Sequence, residues 1–114
     1  MARVHALLRR ANPASIPVEA GDVRVDPQAH RAWKGGEELH LTNTEFRLLF
    51  EFVSNRDRVF SRDVLLERVW GYDYLGDSRL VDMAVKRLRD KVEDDPANPE
   101  RIATVRGVGY RYDG

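Results

Sequence analysis

Hydrophobic and polar residues alternate in the segment that spans residues 18 to 41. Val23 and Val25 stand between charged residues, and Leu39 and Leu41 are separated by a histidine. A side-chain period of two is typical of half-buried strands. Residues 34–37 contain two adjacent glycines between charged residues, which favours a turn. We predict a small antiparallel meander of three or four strands.

The pattern changes to a helical period after residue 41. Thr42 and Glu45 have the spacing of a capping box, in which each side chain accepts a hydrogen bond from the other residue's backbone N–H. Apolar residues then recur at i, i+3, i+4 and i+7, at Phe46, Leu49, Phe50 and Val53. The sequence therefore predicts an amphipathic helix that ends near Asn55.

Two further helices are predicted before the chain returns to strand-forming residues. Ser61 is a candidate N-cap and Gly71 a candidate C-terminal stop for a helix whose buried face contains Leu65, Leu66, Val69 and Trp70. The next helix should start after Asp77 or Ser78 and end near Glu93. Its core positions step by four, three and four residues, at Val81, Val85, Leu88 and Val92.

The last segment predicts a β-hairpin. Residues 102–112 combine β-branched residues and tyrosines around Gly107 and Gly109, which we expect to serve the turn. The order of a meander, three helices and a hairpin gives a single α+β domain. At the start of the chain, residues 1–11 predict a short amphipathic helix, and the prolines of residues 12–17 suit a linker.

The charge of the chain is unevenly distributed. The 114 residues carry 19 Lys and Arg against 19 Asp and Glu, so the formal net charge is zero. Residues 79–91 nevertheless hold five cations and two anions, and residues 101–112 hold three cations and no anion. The excess of cations in the third helix and the hairpin indicates a polyanionic partner, although the net charge of the whole chain is zero.

The third helix has an outward face rich in cations. With 100° per residue, the face opposite the core stripe is formed by Arg79, Met83, Lys86, Arg87 and Asp90. Asp82 has the spacing to orient Arg79 and Lys86. On an isolated helix such a face could simply be solvated. Here it belongs to a helix-turn-helix followed by a glycine-containing basic hairpin, an arrangement that offers a helix to the major groove of DNA.

Four motifs resemble the DNA-binding effector domain of the OmpR/PhoB family of response regulators: LTNTEFRLL (41–49), VFSRDVLLERVWG (59–71), SRLVDMAVKRLRDKVE (78–93) and TVRGVGYRY (104–112). The resemblance covers roughly residues 17–113. It implies a winged helix-turn-helix with an N-terminal antiparallel sheet, three helices and a C-terminal hairpin wing, over residues 17–114. Residues 1–16 resemble the end of a receiver-domain helix followed by a linker.

The resemblance also implies roles for individual residues. Base contacts are expected from Arg87, Met83 and Ala84 on the third helix and from Arg106 of the wing, although Ala84 can offer only van der Waals contact. Phosphate contacts are expected from Trp70, Arg79, Lys86, Arg89, Thr104 and Tyr110. Trp70 could equally be a core residue, and Tyr110 could simply fill its strand face. The loop residues Tyr72, Asp73, Tyr74 and Asp77 are candidate contacts to RNA polymerase.

The expected partners are double-stranded DNA with direct repeats, a second copy on that DNA, RNA polymerase and, through a receiver domain, a sensor kinase. No enzyme, metal or cofactor is expected, because the three histidines are scattered and the chain has no cysteine. Short apolar runs and an arginine-rich start predict a cytoplasmic protein without a membrane span. The alternative is a winged-helix module that docks an acidic protein and does not recognise a DNA sequence.

Overall fold

The N-terminal meander has four strands. The computed structural model describes residues 16–71 and 77–114, so the predicted helix of residues 1–11 and most of the predicted linker lie outside the described part of the chain. Strands β1 (Val18–Ala20), β2 (Val23–Asp26), β3 (Arg31–Lys34) and β4 (Glu37–Leu39) form an antiparallel sheet in sequential order. The valines of β2 are buried and Arg24 between them is exposed, which confirms the predicted alternation.

The three predicted helices are present. Helix α1 (Asn43–Ser54) starts with the predicted capping box, in which Thr42 and Glu45 each accept the other's backbone N–H. Helix α2 starts at Arg62, capped by Ser61, and its Arg62–Leu65 turn continues as a π-helical Leu66–Trp70 segment that the sequence did not predict. Gly71 ends it at a φ of 115°, and helix α3 spans Arg79–Val92.

The C-terminal hairpin belongs to a three-stranded sheet. Its strands are β6 (Ile102–Val105) and β7 (Gly109–Tyr112), and β7 also pairs with a strand before helix α2, β5 (Val59–Ser61), in the order β5-β7-β6. Strand β5 was not predicted from the sequence. Ser61 has an extended backbone that suits both an N-cap and the end of a strand, and a three-residue strand carries too little periodicity to be recognised without its partner.

The two glycines of the hairpin have different structural roles. Gly107 lies in the turn at a φ of 78°, as predicted. The prediction that Gly109 also serves the turn is wrong, because it is a strand residue of β7 paired with both neighbouring strands. A Cβ at this position would lie 1.9 Å from the carbonyl oxygen of Phe60, so a side chain here is excluded by the close approach of β5.

The hydrophobic core lies between the two sheets and the helices. The predicted stripe of α3 is fully buried, at Val81, Val85, Leu88 and Val92. It packs with Leu48, Leu49 and Phe52 of α1 and with residues from both sheets. Within residues 16–71 and 77–114, no helix is long and apolar enough to span a bilayer, and no three acidic or histidine side chains are grouped as metal ligands.

Polar contacts join the N-terminal sheet to the end of α3. The guanidinium of Arg101 donates to both carboxylate oxygens of Asp22 at 2.8 and 2.9 Å, and Lys34 donates to Asp94 at 2.7 Å. The buried carboxylate of Glu93 accepts the backbone N–H groups of residues 100, 101 and 102. These contacts fix the start of β6, and hence the wing, relative to α3.

Candidate nucleic-acid interface

The predicted outward face of α3 is exposed to solvent. The Arg79 side chain is 84% exposed and Met83 is 51% exposed, and Lys86, Arg87 and Asp90 are exposed as well. Helix α3 buries its opposite face in the core, so this stripe is held outward by packing. Among the described residues, no carboxylate lies within 4 Å of Lys86 or Arg87, so their charges are available to an external anion.

The tip of the wing is also exposed and basic. Residues 106–108 form the turn between β6 and β7, closed by a hydrogen bond from the Val108 N–H to the Val105 carbonyl at 2.9 Å. Arg106 is exposed, and the apolar side chain of Val108 is 51% exposed beside it. Arg106 makes no ion pair with any residue that the structure describes. A projecting arginine on a narrow hairpin is suited to a DNA groove.

Trp70 and Ala84 lie between the helices. Trp70 is partly buried and packs against the core, and Ala84 is only 5% exposed. Both line a shallow cavity of about 170 Å³ between the start of α1, the end of α2 and α3, which Thr44 and Arg87 also border. The indole can therefore be a packing residue and still present an edge at the surface.

Three of the residues predicted to contact phosphates make hydrogen bonds with other side chains or the backbone of the protein. The Arg89 guanidinium donates to the Ile102 carbonyl at 2.8 Å and to the Thr104 hydroxyl at 2.8 Å. Tyr110 is 5% exposed, and its hydroxyl donates to the Asp82 carboxylate. These bonds join α3 to both strands of the wing.

The prediction that Asp82 orients Arg79 and Lys86 is wrong. Its carboxylate accepts a hydrogen bond from Arg62 of α2 at 2.6 Å and another from Tyr110. Burial raises the pKa of Asp82, but the hydrogen bonds from Tyr110 and Arg62 outweigh it, so the pKa is lowered. Arg62 was not singled out from the sequence. The only sequence signal for it was an unexplained cation in the first turn of α2, where an anion is favoured.

Arg79 is paired at the start of α3. Asp77 accepts a hydrogen bond from the Arg79 backbone N–H at 2.8 Å and from its guanidinium at 2.8 Å. The side-chain hydrogen bond from Arg79, followed by the backbone one, lowers the pKa of Asp77. Asp77 is the one predicted polymerase-loop residue within the described chain, since Tyr72, Asp73 and Tyr74 lie outside it.

The assembled surface is a basic helix next to a basic hairpin. Such a surface has the shape and charge to place a helix in the major groove, about 12 Å wide, and a hairpin beside it. The assignment of individual residues to bases or phosphates remains a prediction.

Comparison with known proteins gives a family match and close relatives. A family model described as "Transcriptional regulatory protein, C terminal" matches residues 36–112. The chain is 50% identical over 113 residues to the DNA-binding response regulator MtrA of Mycolicibacterium smegmatis, which covers 97% of this chain and 49% of that protein. It is 51% identical to the transcriptional regulatory protein AfsQ1 of Streptomyces coelicolor, over 98% of this chain and 50% of that protein. The chain thus spans about half the length of these curated relatives.

Solved structures match the fold over most of the chain. The response regulator DrrB of Thermotoga maritima, described as an OmpR/PhoB homolog, gives a TM-score of 0.80 at 34% identity over 99% of this chain and 50% of that one. The RstA DNA-binding domain of Klebsiella pneumoniae, solved in complex with the RstA box, gives a TM-score of 0.77 at 35% identity over 85% of this chain and 96% of that one.

Proposed function

The chain belongs to the OmpR/PhoB family of response regulators, as a winged helix-turn-helix DNA-binding domain, and from this premise we propose that it recognises specific sequences in double-stranded DNA. In this proposal, α3 enters the major groove and the wing contacts the adjacent minor groove. The observation that carries the proposal is the exposed face of α3, where Lys86 and Arg87 stand without an acidic partner among the described residues.

Base recognition is assigned to the centre of that face. Arg87 has the length and the planar guanidinium to donate two hydrogen bonds to a guanine. Met83, one turn before it and 51% exposed, is suited to van der Waals contact with a thymine methyl group or a sugar. Ala84 is nearly buried and contributes at most its methyl group. At the wing, Arg106 is assigned to the minor groove, where a narrow A·T-rich groove attracts arginine.

Contacts to the phosphate backbone of DNA are assigned to residues that retain a free hydrogen-bond donor. Lys86 is exposed, Arg79 can exchange Asp77 for a phosphate, and Trp70 can direct its indole N–H outward. Arg89, Thr104 and Tyr110 receive a different role, because Arg89 and Tyr110 use side-chain donors within the protein and the Thr104 hydroxyl accepts one of the bonds from Arg89. They hold the wing against α3 and so contribute to DNA binding indirectly.

The partners of the whole regulator follow from the family. We propose that two copies bind direct repeats head to tail, that a receiver domain phosphorylated by a sensor kinase controls the pairing, and that the loop ending at Asp77 faces RNA polymerase. These functions would place the protein in the cytoplasm with the chromosome. The family model that matches residues 36–112 is that of a transcriptional regulatory protein, which supports a binding function for this domain.

The proposal is tested by the salt dependence of binding to a fluorescent duplex. Neutralisation of phosphates releases counterions, so affinity should fall steeply as salt rises. Lys86→Ala should weaken binding to all duplexes alike and make the slope of log K against log salt shallower by about one unit. The matched control is Arg24→Ala, which removes one exposed cation from the outer face of the N-terminal sheet and should leave the slope unchanged.

Two results would contradict the proposal. An affinity that hardly changes between low and moderate salt would exclude phosphate neutralisation. Equal effects of Lys86→Ala and Arg24→Ala would show that only overall charge matters. Either result would favour the alternative, in which the basic face docks an acidic protein.

A further inference from the structure

The ring of Tyr110 lies close to two arginines. The guanidinium carbons of Arg62 and Arg89 each lie 5.6 Å from the centre of the ring. Cations at this distance from an aromatic centroid are attracted to the ring. Arg62 belongs to α2 and Arg89 to α3, so the Tyr110 ring of the wing strand β7 contacts side chains from both helices of the helix-turn-helix.

The hydroxyl of Tyr110 completes the arrangement. A phenol can donate only one hydrogen bond, and Tyr110 donates it to the carboxylate of Asp82 on α3. The same carboxylate also accepts a hydrogen bond from Arg62. The same hydroxyl therefore cannot donate to a DNA phosphate while this bond is made. Its environment also disfavours ionisation, because burial and the adjacent Asp82 raise the pKa of Tyr110.

The contacts of Arg89 fix the other strand of the wing. Thr104 is the cross-strand partner of Tyr110, and the Arg89 side chain donates to its hydroxyl. Both strands of the hairpin are thus bonded to α3, on either side of the turn that carries Arg106. On α3, Asp82 lies between Arg79 and Met83, and Arg89 lies two residues after Arg87. The attachment points of the wing therefore alternate along α3 with the residues assigned to DNA.

We propose that Tyr110 is a positioning residue, whose hydrogen bond to Asp82 sets the placement of the wing relative to α3, so that Arg106 and Arg87 engage neighbouring grooves together. The consequence for DNA rests on the proposed function, whereas the placement of the wing does not. In this proposal, Tyr110 contributes to DNA binding by placing Arg106, and it does not itself contact a phosphate.

The first experiment measures the placement without DNA. The chain has no cysteine, so cysteines introduced at Val108 on the wing tip and at Asp90 on α3 are unique sites for spin labels. Tyr110→Phe removes only the hydroxyl and should broaden or shift the distribution of distances between the labels. The matched control is Tyr112→Phe, two residues further on the same strand, because the Tyr112 hydroxyl is buried and has no hydrogen-bond partner within the described chain. The control should leave the distribution unchanged.

The second experiment is a double-mutant cycle for binding to an A·T-rich duplex of roughly two helical turns. Tyr110→Phe should weaken binding by about threefold to tenfold in the wild-type background, and by less than about twofold when Arg106→Ala is already present. A purely structural role would lower the melting temperature and weaken binding equally in both backgrounds.

The two experiments separate the failure of this inference from that of the proposed function. A distance distribution in Tyr110→Phe identical to that of Tyr112→Phe overturns the inference, whether or not the chain binds DNA. Equal losses of affinity with and without Arg106→Ala would overturn the proposal that Tyr110 acts through Arg106. If no variant binds the duplex but the distribution still broadens, the proposed function fails and the placement of the wing by Tyr110 stands.

Discussion

Gly109 is the position where the structure makes the most quantitative prediction about stability. Replacement by alanine would place a Cβ 1.9 Å from the Phe60 carbonyl oxygen and 2.9 Å from both the Phe60 carbonyl carbon and the Ser61 Cα. All three atoms belong to the backbone, so no side-chain rotation can relieve the contact. The strands β5 and β7 must therefore separate by more than 1 Å at this point, since ordinary contacts to a carbonyl oxygen exceed about 3 Å.

The expected loss of stability follows from that separation. Overpacking of a well-packed site costs about 1–3 kcal/mol. Each hydrogen bond of the β5–β7 ladder that is lost adds about 1 kcal/mol. We therefore expect Gly109→Ala to lower the free energy of unfolding by about 3 kcal/mol, which corresponds to a fall in melting temperature of at least about 10 °C for a domain of this size.

Gly107→Ala is the matched control. Gly107 has a left-handed φ of 78°, but nothing lies within 4 Å of a Cβ built there. The conformational penalty alone is about 1–2 kcal/mol. Urea unfolding followed by circular dichroism would measure both variants. A loss for Gly109→Ala no larger than that for Gly107→Ala would refute the argument that close approach of β5 excludes a side chain.

Three further predictions concern charged residues. Arg87→Ala should cost about 1–3 kcal/mol of binding to the preferred duplex and relax discrimination at one base pair; competition among single-base variants measures this, and equal losses on all sequences would contradict base recognition. Asp77→Asn frees Arg79 and should strengthen binding to a random duplex by about twofold to fivefold, whereas Glu38→Gln, which frees Arg31 on the N-terminal sheet, should not. Burial raises the pKa of Glu45, but hydrogen bonds from Lys91 and Thr42 outweigh it and the net shift is downward. The ionised form therefore stabilises the fold above pH 4.5, and this contribution is lost as the pH falls through the lowered pKa; the destabilisation by Glu45→Gln in urea unfolding should accordingly shrink in acid, and a constant difference would contradict it.

The elements that could be predicted from the sequence are those with local signals. The capping box of α1 involves residues three positions apart, and the core stripe of α3 follows from helical periodicity alone. The outward face of α3 was equally predictable, because a helix that buries one stripe must expose the other. Each of these features depends only on residues of a single helix and its N-cap.

The contacts that hold the wing were not predictable, because their partners are distant in sequence. Asp82 lies 20 residues from Arg62 and 28 from Tyr110, and the nearer Arg79 and Lys86 were the natural candidates for its ion pair. Strand β5 was missed for the same reason, since its partner β7 begins 48 residues after Ser61. The resemblance implies that Tyr110 contacts the DNA backbone, but no local pattern in the sequence indicates its bond to Asp82.

Selection from a randomised pool of duplexes is the most direct test of sequence recognition by α3 and the wing. The folded chain is incubated with the pool, and the bound duplexes are sequenced for enriched words and their spacing. If α3 and the wing recognise a sequence, two similar short DNA sequences about one helical turn, or 10 base pairs, apart should be enriched, and the Arg87→Ala variant should lose this enrichment. A folded chain that enriches no word, or one whose enriched words are the same in Arg87→Ala, would contradict it.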